Sequence, residues 1–377
     1  MMTLHSSGSG GDGVLLAINA GSSSLKFAVV RADRGLARLA AGTAAGGAGS
    51  AAASLDRLQQ QLDFQAVAAV GHRVVLSARR PAVERVTAGL LDLLRRAAVR
   101  DPDHLPAQLE LIEEIAVRFP SVPQIACYDS AFHDTMPRIA RLLPIPRRFD
   151  AAGIERFGFH GLSCAFLVEE LARVAGADAA NGRVILAHLG GGASLTAVHR
   201  GRSVDTTMGY TPAGGLVMGT RPGDLDPGLT LALMQREALT PEGFDRLINH
   251  ECGLRGISET TGDMRELIAH EGADLRAAEA IELFCYQVRK AIGSFAAVLG
   301  GVETIVFAGG IGEHVPEVRE RACRNLGFLG IEIDPVRNAA NAAVISSVAS
   351  RATVRVIPTD EEAMIAKAVW QEVKGGR

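Results

Sequence analysis

The chain has 377 residues, of which 47% are hydrophobic and 21% charged, and its formal net charge is −3. A chain of this length fits two domains better than one core. Its near-neutral charge gives no reason to expect nucleic acid or a membrane surface as a partner. The longest apolar runs are much shorter than the ~20 residues that cross a bilayer. We therefore expect a soluble protein of two domains.

The N-terminus and the cysteines favour a cytoplasmic, reducing location. The opening residues, MMTLHSSGSGGDG, lack the basic start and apolar stretch of a signal peptide and are predicted to be a loose tail. The cysteines are odd in number and scattered, without a CxxC pair, at Cys127, Cys164, Cys252, Cys285 and Cys323. This pattern excludes zinc-site spacing and predicts buried free thiols.

The first predicted elements are two strands joined by a turn. Residues 14–18 are continuously apolar, AGSSS forms the turn, and Leu25, Phe27 and Val29 alternate as a returning strand does. Residues 40–54 are rich in Ala, Gly and Ser, so we predict a surface loop or an irregular hairpin there.

Helices and strands follow in the rest of the first half. The predicted helices are 55–62, 88–100 and 109–118, and the predicted strands are 67–75 and 124–128. The last strand stops at Asp129, and ligands of open α/β sheets bind at the carboxyl ends of strands. Residues 132–150 carry three prolines and little periodicity, so we predict that the chain passes between domains there.

The second half repeats the opening design. A strand at 184–187 runs into Gly190, Gly191 and Gly192 and returns as a strand at 194–198. Aligning Ser24 with Ser194 superimposes the two hairpins and indicates a duplicated α/β domain. Glycines let backbone N–H groups approach an anion, so each hairpin suits a phosphate. The remaining predicted elements are helices at 164–175, 228–237, 241–249 and 275–299, from 316 onward and at 361–373, and strands at 304–308 and 354–357.

Two further segments suit a nucleotide. Arg221 is followed in one loop by Asp224 and Asp226, which combines a fork of donors for phosphate with carboxylates for Mg²⁺. The sequence GGIGE, residues 309–313, stands between a strand and a helix. No GxxxxGK[ST] motif occurs, and the first hairpin lacks the glycines of GxGxxG, so the P-loop and Rossmann classes are excluded.

Several motifs lie along the chain from residue 14 to the end: INAGSSSLKF, CYDSAFHDTMP, RFGFHGLS, HLGGGAS, GTRPGDLDPG, DMREL, GGIGEHVPEVRE and IPTDEEAMIA. Together they resemble the acetate kinase family. The resemblance implies an α/β fold of duplicated RNase H-like domains, as in actin, heat-shock ATPases and sugar kinases, with a nucleotide cleft between them. We expect one domain of residues 1–131 with 361–377, and a second of residues 132–360.

The resemblance also implies a reaction. ATP and a short-chain carboxylate, acetate first, give ADP and an acyl phosphate, with Mg²⁺, in a homodimer. Such a transfer needs positioning and positive charge rather than a protein nucleophile, and Mg²⁺ takes only one or two protein carboxylates. Two alternatives stay open: a propionate or other short-chain acyl kinase, and a nucleotide-binding switch that has lost acyl transfer.

The matched motifs imply a role for each site residue. Asn19 and Glu361 resemble the metal site, Arg73 and Arg221 the arginines that grip substrate and phosphoryl group, and His160 and Asp129 the other catalytic side chains. The implied nucleotide contacts are Ser24, Lys26, His188, Gly190, Gly191, Gly192, Asp263, Met264, Arg265, Gly309, Gly310, Ile311 and Gly312. The implied acyl pocket consists of Val75, Phe159 and Pro212 with Arg73.

Structural interpretations compete with some of these roles. Arg221 also fits a surface ion-pair cluster with Asp224 and Asp226, His160 a core histidine, and Asp129 a helix cap. Hydrogen-bonding roles are favoured over chemistry for four other histidines, His72, His104, His133 and His188.

The chain departs from the family pattern mainly on the acyl side. Leu76, Ser77 and Ala78 stand where the family has His-Gly-Gly. Asp103 stands at an apolar position of the pocket wall, while Leu105 and Gly191 each replace an asparagine. A carboxylate buried beside a carboxylate substrate is costly unless it is paired. We therefore hypothesise a reduced or shifted acid specificity.

Overall fold

The computed structural model describes residues 13–21, 24–45, 53, 55, 56, 59, 60, 64–98 and 105–375. The chain forms two compact units, one of residues 1–131 with 360–377 and one of residues 132–359. Among the described residues, no helix is both long and apolar enough to span a bilayer. All five cysteines are free, and all except Cys252 are buried, as predicted.

A six-stranded sheet forms the centre of the first unit. Its strands are β1 (Val14–Ala20), β2 (Ser24–Arg31), β3 (Arg38–Ala45), β4 (Val67–Val74), β5 (Val83–Arg85) and β6 (Gln124–Tyr128). They lie in the order β3-β2-β1-β4-β6-β5, with β1 to β3 antiparallel and β4 and β6 parallel to β1. The helical segments are Phe64–Ala66 (3₁₀), Ala88–Ala98, Leu105–Arg118 and Glu361–Gly375.

The terminal helix Glu361–Gly375 packs closely on the middle of this sheet. A Cβ atom on Gly71 of β4 would lie 2.4 Å from Val369 Cγ2 and 2.5 Å from Ile365 Cγ2, so only glycine permits this approach. Because β1 is buried on both faces, it reads as a continuous apolar run. The packing brings the first turn of the helix, with its two glutamates, beside the carboxyl end of β1.

A five-stranded sheet forms the centre of the second unit. Its strands are β7 (Arg183–Leu189), β8 (Ala193–His199), β9 (Arg202–Thr206), β10 (Thr304–Ala308) and β11 (Thr353–Val356), in the order β11-β10-β7-β8-β9. The helices are Arg138–Arg141, Arg147–Ala151, Gly161–Ala175, Ala177–Asn181, Pro227–Arg236, Pro241–Arg246, Gly253–Ser258, Met264–His270, Leu275–Leu299, Gly309–His314, Pro316–Cys323 and Pro335–Ala339. Ala131–Thr135 and Gly327–Leu329 are 3₁₀-helical, and Leu247–Glu251 is π-helical.

The two sheets share one topology, which confirms the predicted duplication. In each, an antiparallel meander (β1 to β3, β7 to β9) is continued by two parallel strands (β4 and β6, β10 and β11). The residue-by-residue alignment, however, is wrong. Ala20 pairs with Leu25, whereas Leu189 pairs with Ala193, so the first loop is one residue longer and no single offset fits both strands. The registers match Lys26, not Ser24, with Ser194.

The prediction of a loop over 40–54 is wrong for its first part. Residues 38–45 form β3, which pairs along β2. A Cβ atom on Gly42 would lie 2.7 Å from the ring of Phe27, so glycine at this position leaves room for the ring. Residues 46–52 and 54 lie outside the described residues.

Other differences concern short elements. The segment GGIGE, expected between a strand and a helix, is itself part of the helix Gly309–His314, and the segment 132–150 contains short helices. The edge strands β5 and β9 were not predicted. A helix was expected at 55–62. Of its described residues, Leu55, Asp56 and Gln59 are helical and Gln60 lies in a turn. Residues 57, 58, 61 and 62 lie outside the described residues.

Candidate active site

In the first unit, charged side chains gather at the carboxyl ends of β1, β4 and β6. Arg73 Nη2 lies 2.8 Å from Asp129 Oδ2, and Arg73 Nη1 lies 3.4 Å from Asn19 Oδ1. Asn19 Nδ2 in turn donates to Glu361 Oε2 at 2.6 Å and to Glu362 Oε1 at 2.9 Å. Parallel strands end at the same edge of a sheet, which explains why residues so distant in sequence meet here.

Burial makes the ion pair of this cluster strong. The side chain of Asp129 is 0% exposed and that of Arg73 13%. Burial alone would lower the pKa of Arg73, but the charges of Asp129 and Glu361 outweigh it and raise the pKa. Burial also raises the pKa of Glu361, against the opposing effect of Arg73. Asp129 is therefore a buried ion-pair partner of Arg73.

The cluster offers hard oxygen ligands. No group of three or more His, Cys, Asp or Glu side chains arranged for a metal occurs among the described residues. Asn19 and Glu361 nevertheless bring an amide and a carboxylate together, and Glu362 adds a second carboxylate. This set fits Mg²⁺, which binds one or two protein carboxylates and keeps several waters.

Other predicted residues of this unit lie close to the cluster in the sheet. Lys26 is exposed on β2, directly opposite Asn19 on β1, and Ser24 begins β2. Val75 follows β4 and is buried. Its N–H donates to Gln108 Oε1 at 3.1 Å, and Gln108 Nε2 donates to the carbonyl of Ala20 at 3.3 Å. Gln108 thus ties the ends of β1 and β4 together, a role that the sequence analysis missed.

In the second unit, two histidines stack beside the glycine turn. The rings of His160 and His188 have centroids 4.1 Å apart and an interplanar angle of 26°. His160 has φ of 57° where the chain enters the helix Gly161–Ala175. A Cβ atom on Gly192 would lie 3.3 Å from His160 Nε2 and 3.1 Å from Arg221 Nη2. The structure therefore brings His160, His188 and Arg221 together at one turn.

The loop after Arg221 differs from the expected metal site. Arg221 Nη1 donates to the carbonyl of Pro212 at 2.9 Å. Asp224 accepts from the N–H of Gly215, and Asp226 caps the helix Pro227–Arg236. Both carboxylates are thus used to hold the loop, which argues against the Mg²⁺ role that the sequence suggested for them.

The GGIGEH segment approaches the same turn. Gly309 has φ of 75°, and a Cβ atom there would lie 2.6 Å from the carbonyl oxygen of Leu189. The N–H of Gly310 lies 3.9 Å from the Cβ position of Gly190. Ile311 and Gly312 continue this helix. Glycine is therefore required where the segment passes the end of β7.

A buried arginine holds that segment from behind. Arg319 is 0% exposed and donates to the carbonyls of Gly312 and Glu313 and to both Asn338 and Asn341. Burial lowers the pKa of Arg319 to about 10. This residue was not predicted, because the asparagines that complete its contacts lie 19 and 22 residues further along the chain and belong to no motif.

In the DMR segment, residues 263–265, the side chain of Arg265 is exposed and that of Met264 is buried. Asp263 caps the helix Met264–His270, and Arg265 pairs with it at 2.8 Å and lowers its pKa. The Met264 side chain is 1% exposed, so it is part of the core and only its backbone can reach a ligand. The segment adjoins the glycine turn through Gly219, whose N–H donates to the carbonyl of Gly191 at 3.2 Å.

The ambiguous histidines and the pocket residues are mostly internal. His72 bonds Gln124 and is buried, and His133 bonds Ser203 and the carbonyl of Phe159, as the hydrogen-bonding interpretation predicts. Phe159 is 1% exposed, and Pro212 is buried. His104 and Asp103 lie outside the described residues.

Comparison with known proteins decides the family. The model of the acetokinase family matches residues 34–367. The chain belongs to the acetokinase family. It is 45% identical to the acetate kinase of Rhodopseudomonas palustris over 314 residues, which cover 82% of this chain and 78% of that protein. It is 46% identical to the acetate kinase of Methylocella silvestris over 305 residues, covering 80% and 74%.

Solved structures agree with this membership of the acetokinase family. The fold resembles the acetate kinase of Porphyromonas gingivalis with a TM-score of 0.81 at 30% identity, covering 96% of this chain and 100% of the other. It resembles the propionate kinase of Francisella tularensis with a TM-score of 0.86 at 32% identity, covering 94% and 98%. The predicted α/β fold of two duplicated units is confirmed.

Proposed function

We propose that this acetokinase family member transfers the terminal phosphoryl group of ATP to a short-chain carboxylate, acetate first, and forms an acyl phosphate reversibly. The observation that carries the proposal is the gathering of His160, His188 and Arg221 around a glycine turn. Phosphoryl transfer depends on such preorganised donors around the equatorial oxygens and needs no protein nucleophile.

Arg73 and Asp129 supply the acid-binding half. The Asp129 carboxylate holds the guanidinium in place, and burial on both sides excludes water from the pair. A planar guanidinium matches a carboxylate well, so Arg73 binds the acid and aligns it for in-line attack. Val75, Phe159 and Pro212 are the proposed apolar contacts of the acyl group.

The remaining roles concern the nucleotide and its cation. Arg221 and His160 donate to the moving phosphoryl group, while His188, Ser24, Lys26 and the turn at 190–192 hold the other phosphate oxygens. The segments 263–265 and 309–312 hold the nucleoside. Asn19 and Glu361 would hold Mg²⁺, which when bound offsets the negative charge of the phosphates.

Trapping of the acyl phosphate by hydroxylamine, with ATP, Mg²⁺ and acetate, tests the proposal. Arg221→Ala is expected to lose activity by about 100-fold or more, as loss of one transition-state donor does. Arg202→Ala, an exposed arginine of β9, is the matched control and is expected to retain activity. Binding of ATP without acyl phosphate from any short acid would instead favour the nucleotide-binding switch.

Propionate is the second candidate substrate, because the propionate kinase of Francisella tularensis has the same fold. Two of the departures on the acyl side, Leu76 and Leu105, belong to one hydrophobic cluster of the first unit together with Tyr128. They pack as core side chains and add no polar group that would recognise a substituent on the acid. The same assay with acetate, propionate and hydroxylated short acids shows which acid is preferred. A normal acetate preference would refute the hypothesis of shifted specificity.

We also propose a cytoplasmic homodimer. Free, buried cysteines suit a reducing compartment. Light scattering after size-exclusion chromatography measures the mass directly, and a monomeric mass would contradict the dimer.

A further inference from the structure

Two buried serine hydroxyls lie at the Nδ1 atoms of the stacked histidines. Ser194 Oγ is 2.9 Å from His160 Nδ1, and Ser163 Oγ is 2.8 Å from His188 Nδ1. Both serines are at most 1% exposed. Ser163 Oγ also lies 2.7 Å from Thr359 Oγ1. Each imidazole is therefore held from the side opposite its Nε2 atom.

The Nε2 atoms face the glycine turn. His160 Nε2 lies 3.3 Å from the Cβ position of Gly192, and His188 Nε2 lies 3.8 Å from that of Gly190. If this turn holds phosphate, as the proposed function requires, both nitrogens face oxygen atoms that only accept hydrogen bonds. An Nε2 atom can donate to them only when it carries a proton.

We propose that Ser194 and Ser163 are positioning residues that fix His160 and His188 as neutral Nε2–H tautomers. In that tautomer Nδ1 has a lone pair, so each serine donates its hydroxyl proton to the ring. Ser163 has only one proton to give, and Thr359 completes the chain by donating to its oxygen.

The surroundings favour neutral rings over imidazolium ions. Two cationic rings stacked at 4.1 Å would repel each other, and Arg221 adds a third positive charge at the same turn. Neutral Nε2–H tautomers supply two phosphate donors without that repulsion. The serines thus orient neutral rings so that Nε2–H can donate to phosphate without a positive charge on the ring.

Thr359 is itself tied to the GGIGEH segment. The Glu313 carboxylate accepts from the N–H of Thr359 at 3.1 Å and from the N–H of Gly309 at 2.8 Å. The hydroxyl chain from Thr359 to His188 therefore begins at a backbone position fixed by that segment.

His133 provides an internal control. Its Nδ1 lies 2.9 Å from Ser203 Oγ, while its Nε2 lies 2.8 Å from the carbonyl of Phe159. A carbonyl only accepts, so the proton on His133 Nε2 is fixed without the serine. Removing Ser203 should therefore leave this tautomer unchanged, although the same type of serine–histidine bond is lost.

Nitrogen NMR of the ¹⁵N-histidine-labelled full chain, without ligand at about pH 8, reads the tautomers directly. His160→Gln and His188→Gln assign the signals. We expect Nε2–H for both rings in the wild type. Ser194→Ala should shift only His160 away from this tautomer, Ser163→Ala only His188, and Ser203→Ala should leave His133 as it was.

The kinetic readout is separate. Ser194→Ala and Ser163→Ala should lower kcat/KM for ATP by roughly 10- to 100-fold, the range known for outer hydrogen-bond partners of metal-bound histidines. Nδ1–H or imidazolium in the wild type would overturn the proposal, even if the variants fail to fold. So would an unchanged His160 tautomer in folded Ser194→Ala. Expected tautomers in a chain that forms no acyl phosphate would refute the proposed function and leave the tautomer assignment standing.

Discussion

The glycine turn offers a matched pair of substitutions. A Cβ atom on Gly192 would lie 3.1 Å from Arg221 Nη2 and 3.3 Å from His160 Nε2, whereas one on Gly191 would meet no atom within 4 Å. Neither glycine has φ in the left-handed region, so alanine fits both backbones. Gly191→Ala tests the backbone of the turn, and Gly192→Ala tests the placement of the two donors.

The magnitude follows from these contacts. Distances of 3.1 and 3.3 Å fall a few tenths of an ångström inside ordinary van der Waals contact, and the atoms that must move are the ends of side chains. Both variants should therefore keep the free energy of unfolding within about 1 kcal/mol of wild type. Misplacement by 1 Å costs about 100-fold in rate, so the smaller shift in Gly192→Ala should lower kcat/KM by about 10-fold. That loss equals about 1.4 kcal/mol of transition-state stabilisation.

The assay is hydroxamate formation from acetate, ATP and Mg²⁺, measured beside thermal unfolding of each variant. Gly191→Ala should remain close to wild type in both measurements. Equal activity of the two variants would refute the placement of Arg221 and His160 at Gly192. A large loss of stability in Gly192→Ala would show that the backbone, not the side chains, absorbs the contact.

Three further substitutions test the interior. Burial lowers the pKa of His72 from 6.5 to about 4. Between these pH values the unfolded state binds a proton at His72 and the folded state does not. The free energy of unfolding should therefore fall by about 3 kcal/mol as the pH is lowered from 6.5 to about 4. Urea unfolding at both ends of this range should show a smaller fall in His72→Gln, and an equal fall would contradict the assignment. Asp129→Ala leaves Arg73 without its buried partner and should cost about 3–5 kcal/mol in urea unfolding. A cost below about 1 kcal/mol would mean that solvent already screens the pair. Arg319→Met leaves several buried carbonyls without a hydrogen-bond donor and should lower the free energy of unfolding by about 3 kcal/mol or more, measured by thermal unfolding. An unchanged melting temperature would contradict this prediction.

The sequence predicted the helices and strands whose hydrophobic pattern lies within a single segment. The helix Leu275–Leu299 and the strand Thr304–Ala308 have the predicted bounds, because long periodicity and a short apolar run next to glycines are strong patterns. Strand β3 was not predicted, because its Ala and Gly residues show no hydrophobic alternation and its pairing with β2 is a contact between two segments. The sequence pattern of one segment does not show which other segment packs against it.

The same limit explains which site residues were missed. Motifs indicated His160, His188 and Arg221 because each stands within two residues of a glycine in the sequence. Gln108, Ser163 and Arg319 bond Val75, His188 and Asn338, which lie on other segments, and nothing in their own neighbourhood predicts those contacts. Residues that hold a site together are therefore harder to predict than residues that line it.

The corrected registers show how the duplicated hairpins have diverged. Asn19 is the penultimate residue of β1 and pairs with Lys26, and His188 is the penultimate residue of β7 and pairs with Ser194. In the first unit this position holds an amide bonded to two glutamates, and in the second an imidazole bonded to Ser163. The terminal-helix glutamates bonded to Asn19 suit a cation, and an N–H donor at His188 suits an anion. The same strand position therefore supports opposite kinds of ligand group in the two units.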